Sequence, residues 1–185
     1  MPHNFGPTLE GDVERVLMDA EALAKKCAEL GAQISKDYAD KKPLLVGVLS
    51  GAVVFYSDLA RTLTIPMEMD FISVSSYGEN AVSGELKWRK DVSIELRDRH
   101  VIIVEDIVDT GRTLNMVMGA FKDRGAASVS ICALLDKVSR RLVPVEVKYV
   151  GFECPDEFVV GYGIDYAERY RNLPYVAALK RCVYE

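Results

Sequence analysis

Histidine is almost missing from this chain. His3 and His100 are the only two among 185 residues, which leaves little material for a histidine-centred triad or a histidine-bound metal. Cysteine is scarce as well. Cys27, Cys132, Cys154 and Cys182 form no C-x-x-C pair, so a zinc site has no framework. No stretch approaches the ~18 consecutive apolar residues of a membrane span, and the N-terminus has no apolar signal core. Positive charge is in the minority: 23 Lys and Arg stand against 28 Asp and Glu, a net charge of -5. Such a chain is poorly suited to non-specific nucleic-acid binding, which needs clustered positive charge. Neither G-x-x-x-x-G-K-[ST] nor G-x-G-x-x-G occurs, so the P-loop and the dinucleotide fingerprint are both excluded. Internal repeats, low-complexity tracts and linkers are lacking too.

What is present fits one soluble globular domain. The length allows a sizeable core, with 49% apolar and 28% charged residues. Cys27 falls on the apolar face of a predicted helix and Cys132 in an apolar strand. Buried thiols of this kind suit a reducing, cytoplasmic setting.

The most informative stretch is Val101 to Leu114, V-I-I-V-E-D-I-V-D-T-G-R-T-L. Four β-branched aliphatics read as a strand buried on both faces of a parallel sheet. Glu105 and Asp106 are expected at its end. Asp109 to Thr113 supplies a short turn of small donors, and Leu114, Val117, Met118 and Phe121 then recur at helical spacing, with Gly125 placed as a C-cap. A strand, a small-residue turn and a helix start direct free N–H groups at a site above the sheet, where the helix dipole favours phosphate. The paired acids have no basic neighbour in sequence and suit ribose hydroxyls or a Mg²⁺ ion shared with phosphates. A plain structural turn is the competing reading of D-T-G taken alone.

Along the rest of the chain, a helix is predicted from about Asp12 to Tyr38, and a strand from Leu44 to Leu49. Ser50-Gly51-Ala52 then leads into a second helix, which is either a second site element or a simple crossover. A strand is expected over Met67 to Val74. Ser75 to Lys90 is polar and irregular, the pattern of a lid or a hairpin excursion, with Asp91 to Leu96 as its return strand. Ser128 to Leu135, Val145 to Gly151 and Tyr175 to Val183 are further strand readings. Alternation of strands and helices predicts an α/β fold with a mainly parallel twisted sheet flanked by helices. The strand-rich C-terminal third is expected to cap the sheet edge.

Leu49 to Ala52, Ser75 to Gly78, Glu105 to Thr113, Lys137 and Val150 to Arg171 occur in one order and spacing. Together they resemble the type I phosphoribosyltransferases, and within them the hypoxanthine (hypoxanthine-guanine) group. The two most diagnostic pieces are E-D-I-V-D-T-G-R-T and V-G-F-E-C-P-D-E-F-V-V-G-Y-G-I-D-Y. The resemblance implies a single domain over 1–185: a core of about 12–150 and a hood formed by about 151–185 with the N-terminal segment 1–11. It implies transfer of a phosphoribosyl group from phosphoribosyl pyrophosphate to hypoxanthine or guanine, with Mg²⁺, in a homodimer or homotetramer, and without nucleic-acid or membrane partners. Glu105 and Asp106 would hold the ribose hydroxyls and Mg²⁺. Asp109 would be the acid/base group beside purine N7. Thr110, Gly111, Arg112 and Thr113 would wrap the 5′-phosphate. Ser50 and Gly51 would meet pyrophosphate through a cis peptide, helped by Arg171. Lys137 would donate to the purine oxygen, Phe158 would stack on the base, and Val159 would read its edge by main-chain groups. Asp165 would bind a second Mg²⁺ beside the base. Ser76 and Tyr77 would lead the lid. Members often carry Lys or Arg where this chain has Ser50, so one positive charge near the leaving group is lost.

Two other readings remain open from sequence. One is a regulator of the same fold that binds phosphoribosyl pyrophosphate without turning it over. The other is the same chemistry on xanthine, adenine or a pyrimidine.

Overall fold

The computed structural model describes residues 6–76 and 86–185. In chain order the strands are β1 (Val13–Met18), β2 (Leu44–Val48), β3 (Glu68–Ser76), β4 (Leu86–Lys90), β5 (His100–Val108), β6 (Ser128–Asp136), β7 (Tyr149–Glu153), β8 (Val159–Val160) and β9 (Val176–Leu179). The helices are α1 (Ala20–Asp37), α2 (Val53–Thr62), α3 (Arg112–Asp123) and α4 (Arg181–Tyr184).

The aliphatic run Val101 to Val104 is fully buried, as a central parallel strand requires. β5 lies inside a six-stranded sheet of order β4-β3-β2-β5-β6-β7. Its pairings with β2 and β6 are parallel, as are β2 with β3 and β6 with β7; only the edge strand β4 runs antiparallel. The expected α/β architecture with a mainly parallel sheet is therefore present. Two apolar layers sandwich the sheet. One joins α1 and α2 through Leu23, Ile34, Phe55 and Leu59 to Ile102 and Val104. The other joins α3 through Leu114, Val117 and Phe121 to Val101 and Ile103. α3 ends in Gly125 at φ +83°, the left-handed stop expected there. Cys27, Cys132 and Cys154 are buried.

A second, three-stranded antiparallel sheet has the order β1-β9-β8. It departs from the sequence reading. The helix expected from Asp12 begins only at Ala20, where Asp19 caps it by accepting from Ala22 N at 2.8 Å. Val13–Met18 is instead a strand against Val176–Leu179. The return strand of the excursion is Leu86–Lys90 rather than Asp91 to Leu96. β5 also extends past the acids to Val108, because its pairing with β6 continues through Ile107–Leu135 and Val108–Asp136. Tyr77 lies outside the described residues, so the lid reading beyond Ser76 has no structural counterpart here. Among the described residues, no helix is long and apolar enough to cross a membrane.

Candidate active site

The carboxyl end of β5 carries the acids, the turn and the start of α3 in one continuous path. Gly111 occupies the N-cap of α3 at φ +80°, where a side chain would collide with the carbonyl of Val143. The N-cap glycine offers no side chain to this helix, and Thr110 Oγ1 accepts only a long bond, 3.4 Å, from Arg112 N; the first turn thus borders a cavity lined by Glu105, Asp109, Thr110, Gly111 and Thr113. The expected phosphate loop is thus brought together with the acids.

The loop is buttressed from one side by the segment after β6. Leu142 N and Val143 N both donate to Thr110 O, at 3.0 and 3.1 Å. Arg141 donates through Nε to Asp109 O at 3.1 Å and through Nη1 to Val145 O at 3.0 Å, and pairs with Asp136. Its neighbour Arg140 approaches the same residue by its side chain. Arg140 Nε lies 3.8 Å from Asp109 Oδ1, an oxygen that is buried and has no hydrogen bond. Their contacts with Asp109 span some 30 positions, and no local pattern in the sequence signals them.

Glu105 and Asp106 are sunk under the loop. Glu105 Oε2 is buried without a hydrogen-bond partner. Burial first, and the adjacent Asp106 second, push the Glu105 carboxyl well above the usual carboxylate range. Asp106 is pushed up to about 6, chiefly by burial; Asp165 adds to the rise, while main-chain N–H bonds and Arg171 oppose it. The proton-bound forms are therefore favoured in the folded chain. A carboxyl whose folded pKa is raised adds stability below its unfolded pKa and loses it as pH rises through the folded value. Asp106 in the ligand-free protein should accordingly cost stability as pH rises from about 4 to about 6, and the melting temperature of Asp106→Asn should gain on wild type over that interval. An Asp106→Asn difference that stays constant with pH, measured by thermal melts, would contradict the burial argument.

The side expected to meet pyrophosphate is built on close backbone approach. The Leu49–Ser50 peptide is cis, as the resemblance implies. A side chain on Gly51 would collide with Asp106 Oδ2, and one on Gly163 with Gly51 O. Two glycines therefore let β5, the loop before α2 and the 163–171 turn meet. Arg171 joins this cluster, donating to Gly163 O at 2.9 Å and pairing with Asp165 at 2.9 Å and Glu168 at 3.1 Å.

The third part is the wall on the hood side. Lys137 Nζ donates to Glu157 O at 2.9 Å and lies 3.2 Å from Asp156, with 12% of its side chain exposed. Phe158 sits beside it and is 39% exposed. Val159 on the edge strand β8 pairs with Ala178 of β9, while Leu179 N donates to Phe158 O at 2.9 Å. That pattern makes Val159–Ala178 a non-hydrogen-bonded pair and turns the Val159 N–H and C=O away from β9. Lys137, Arg140, Glu157 and Phe158 line a cavity of about 640 Å³ with Arg181 and Tyr184. Ile107, which sequence reading passed over, reaches the phosphate-loop cavity from β5.

Among the described residues no three His, Cys, Asp or Glu side chains converge as a metal cage. Asp165 is engaged on both oxygens, by Arg171 and by Glu168 N at 2.9 Å. The Glu105–Asp106 pair, with its orphan oxygen, is the better fit to a divalent cation that takes most of its ligands from phosphates and water.

Comparison with known proteins agrees with this geometry. The model of the phosphoribosyl transferase domain matches residues 16–167, and the chain belongs to that family. The likeness is closest in kind to one group within it. The hypoxanthine-guanine phosphoribosyltransferase of Bacillus subtilis (strain 168) is 49% identical over 178 residues, covering 96% of this chain and 99% of the relative. That of Streptococcus thermophilus (strain CNRZ 1066) is 50% identical over 177 residues, covering 95% and 98%. A crystal structure of a hypoxanthine phosphoribosyltransferase from Staphylococcus aureus superposes with a TM-score of 0.92 at 44% identity, covering 96% of this chain and 97% of that one.

Proposed function

We propose that this chain transfers the 5-phosphoribosyl group from phosphoribosyl pyrophosphate to hypoxanthine or guanine and releases pyrophosphate, a purine-salvage reaction. The observation that carries the reading is the meeting, at one sheet edge, of a glycine-capped helix N-terminus, two adjacent half-buried acids and an anchored lysine beside an exposed phenylalanine. Thr110 to Thr113 and the α3 N-terminus bind the 5′-phosphate. Glu105 and Asp106 take the ribose hydroxyls. The same two acids would hold a Mg²⁺ ion, which would supply charge stabilisation to the phosphates, and Asp165 would hold a second if Arg171 and Glu168 N released it. Ser50, Gly51 and Arg171 receive the pyrophosphate. Purine nitrogen attacks the anomeric carbon as the bond to pyrophosphate oxygen breaks, and Asp109 accepts the proton from N7. Lys137 donates to the oxygen at C6, Phe158 stacks on the ring, and the outward main chain of Val159 pairs with its edge.

A panel of radiolabelled bases with phosphoribosyl pyrophosphate and Mg²⁺ tests this. Nucleotide should form from hypoxanthine and guanine. Binding of phosphoribosyl pyrophosphate with no turnover of any base would favour a regulator instead and overturn the reading.

A further inference from the structure

Phe158 stands just before a two-residue edge strand, where the ladder does little to fix its ring. The short C-terminal helix α4 supplies what the ladder does not. Tyr184 stacks on Phe158 with ring centroids 4.8 Å apart and 23° between planes, and Tyr166 meets it edge-to-face at 5.1 Å and 82°. α4 is itself anchored: Val183 is buried with Val160, Tyr170, Leu173 and Leu179 in an apolar cluster on the outer face of the hood sheet. Val159, on the opposite face, belongs to the large core. Tyr184 therefore reaches Phe158 from the α4 side of the cavity that both rings line, and the 39% of Phe158 that stays exposed is what a planar base can cover.

We infer that Tyr184 is a positioning residue for base recognition: it holds the Phe158 ring at the tilt that a purine stacks on. The inference rests on the functional reading above and extends it to a residue outside the recognised motifs. A platform that is already oriented loses less freedom when the base arrives, so the gain belongs to base affinity. Phosphoribosyl pyrophosphate and the chemical step are untouched, because Tyr184 meets neither the phosphate loop nor Asp109.

The test is steady-state kinetics on Tyr184→Leu, Tyr184→Phe, Phe158→Leu and the double variant. Leucine keeps an apolar cover on the anchoring cluster but cannot stack. Tyr184→Leu should raise KM for hypoxanthine by about threefold to tenfold, the size of one aromatic pair, and leave kcat and the KM for phosphoribosyl pyrophosphate near wild type. Tyr184→Phe keeps the ring and should behave as wild type. Adding Tyr184→Leu to Phe158→Leu should do nothing further, since the effect runs through Phe158. A lower KM in Tyr184→Leu would mean that Tyr184 competes with the base, and would overturn the inference. So would an unchanged KM, an equal loss for both substrates, or additive losses in the double variant. Wild-type protein inactive on every 6-oxopurine would instead remove the functional reading itself.

Discussion

Asp109→Asn should lower kcat by about 10²–10⁴ while phosphoribosyl pyrophosphate binds as before. The amide is nearly isosteric with the carboxylate, so the turn has no steric reason to move. The turn is also held independently of that side chain. Arg141 grips Asp109 O, and Leu142 and Val143 grip Thr110 O. What the substitution removes is the proton acceptor, and the proton on purine N7 then has no destination. The buried Asp109 Oδ1 has no hydrogen bond of its own, which suits a group kept ready for a substrate proton. Rapid-quench turnover and equilibrium titration of phosphoribosyl pyrophosphate separate the two effects. An asparagine variant with wild-type turnover would take Asp109 out of the mechanism.

The second large effect concerns the choice of base. Hypoxanthine and guanine present an oxygen at C6, adenine an amino group. An ammonium has three donors and no acceptor. Glu157 O and Asp156 already orient Lys137, leaving a proton for the substrate oxygen. Adenine would set donor against donor in a dry pocket, a mispairing that supports discrimination of about 10⁴ or more in kcat/KM. Lys137→Met should lose most activity with hypoxanthine, with a native circular dichroism spectrum, because Asp156 is largely exposed and can turn to water. It should not become an adenine enzyme, since Phe158 and Val159 still hold the base in the same frame. Wild-type use of adenine on a par with hypoxanthine would end both the Lys137 role and the assignment to 6-oxopurines.

The parts of this site that sequence made legible are local. Four aliphatics, two acids and D-T-G-R-T specify a strand, a turn and a helix start within fourteen consecutive positions, and the structure keeps them in that order. The parts that were misread depend on distant partners. Val13, Val16 and Leu17 fit a helical stripe as well as a strand, and only antiparallel pairing with Val176–Leu179 decides between them. Leu96 looked like a strand residue because it is apolar, yet it is buried from a coil that packs beside Val101 and Ile103. Arg141 stands in no motif, and its grip on Val108, Asp109 and Asp136 is visible only in the fold. Tyr184 carried no motif at all; its stacking on Phe158 is visible only in three dimensions.

The joining of β1 to β9 has one more consequence. β1 precedes the strands of the parallel sheet in chain order, but its partner β9 follows all of them. The phosphate-loop strand and its neighbours β2, β3 and β6 are all complete well before β9 exists. A nascent chain can thus form the parallel sheet while β1 still lacks a partner, an exposed edge of the kind that invites mispairing. The three-stranded hood sheet closes only once β9 has followed.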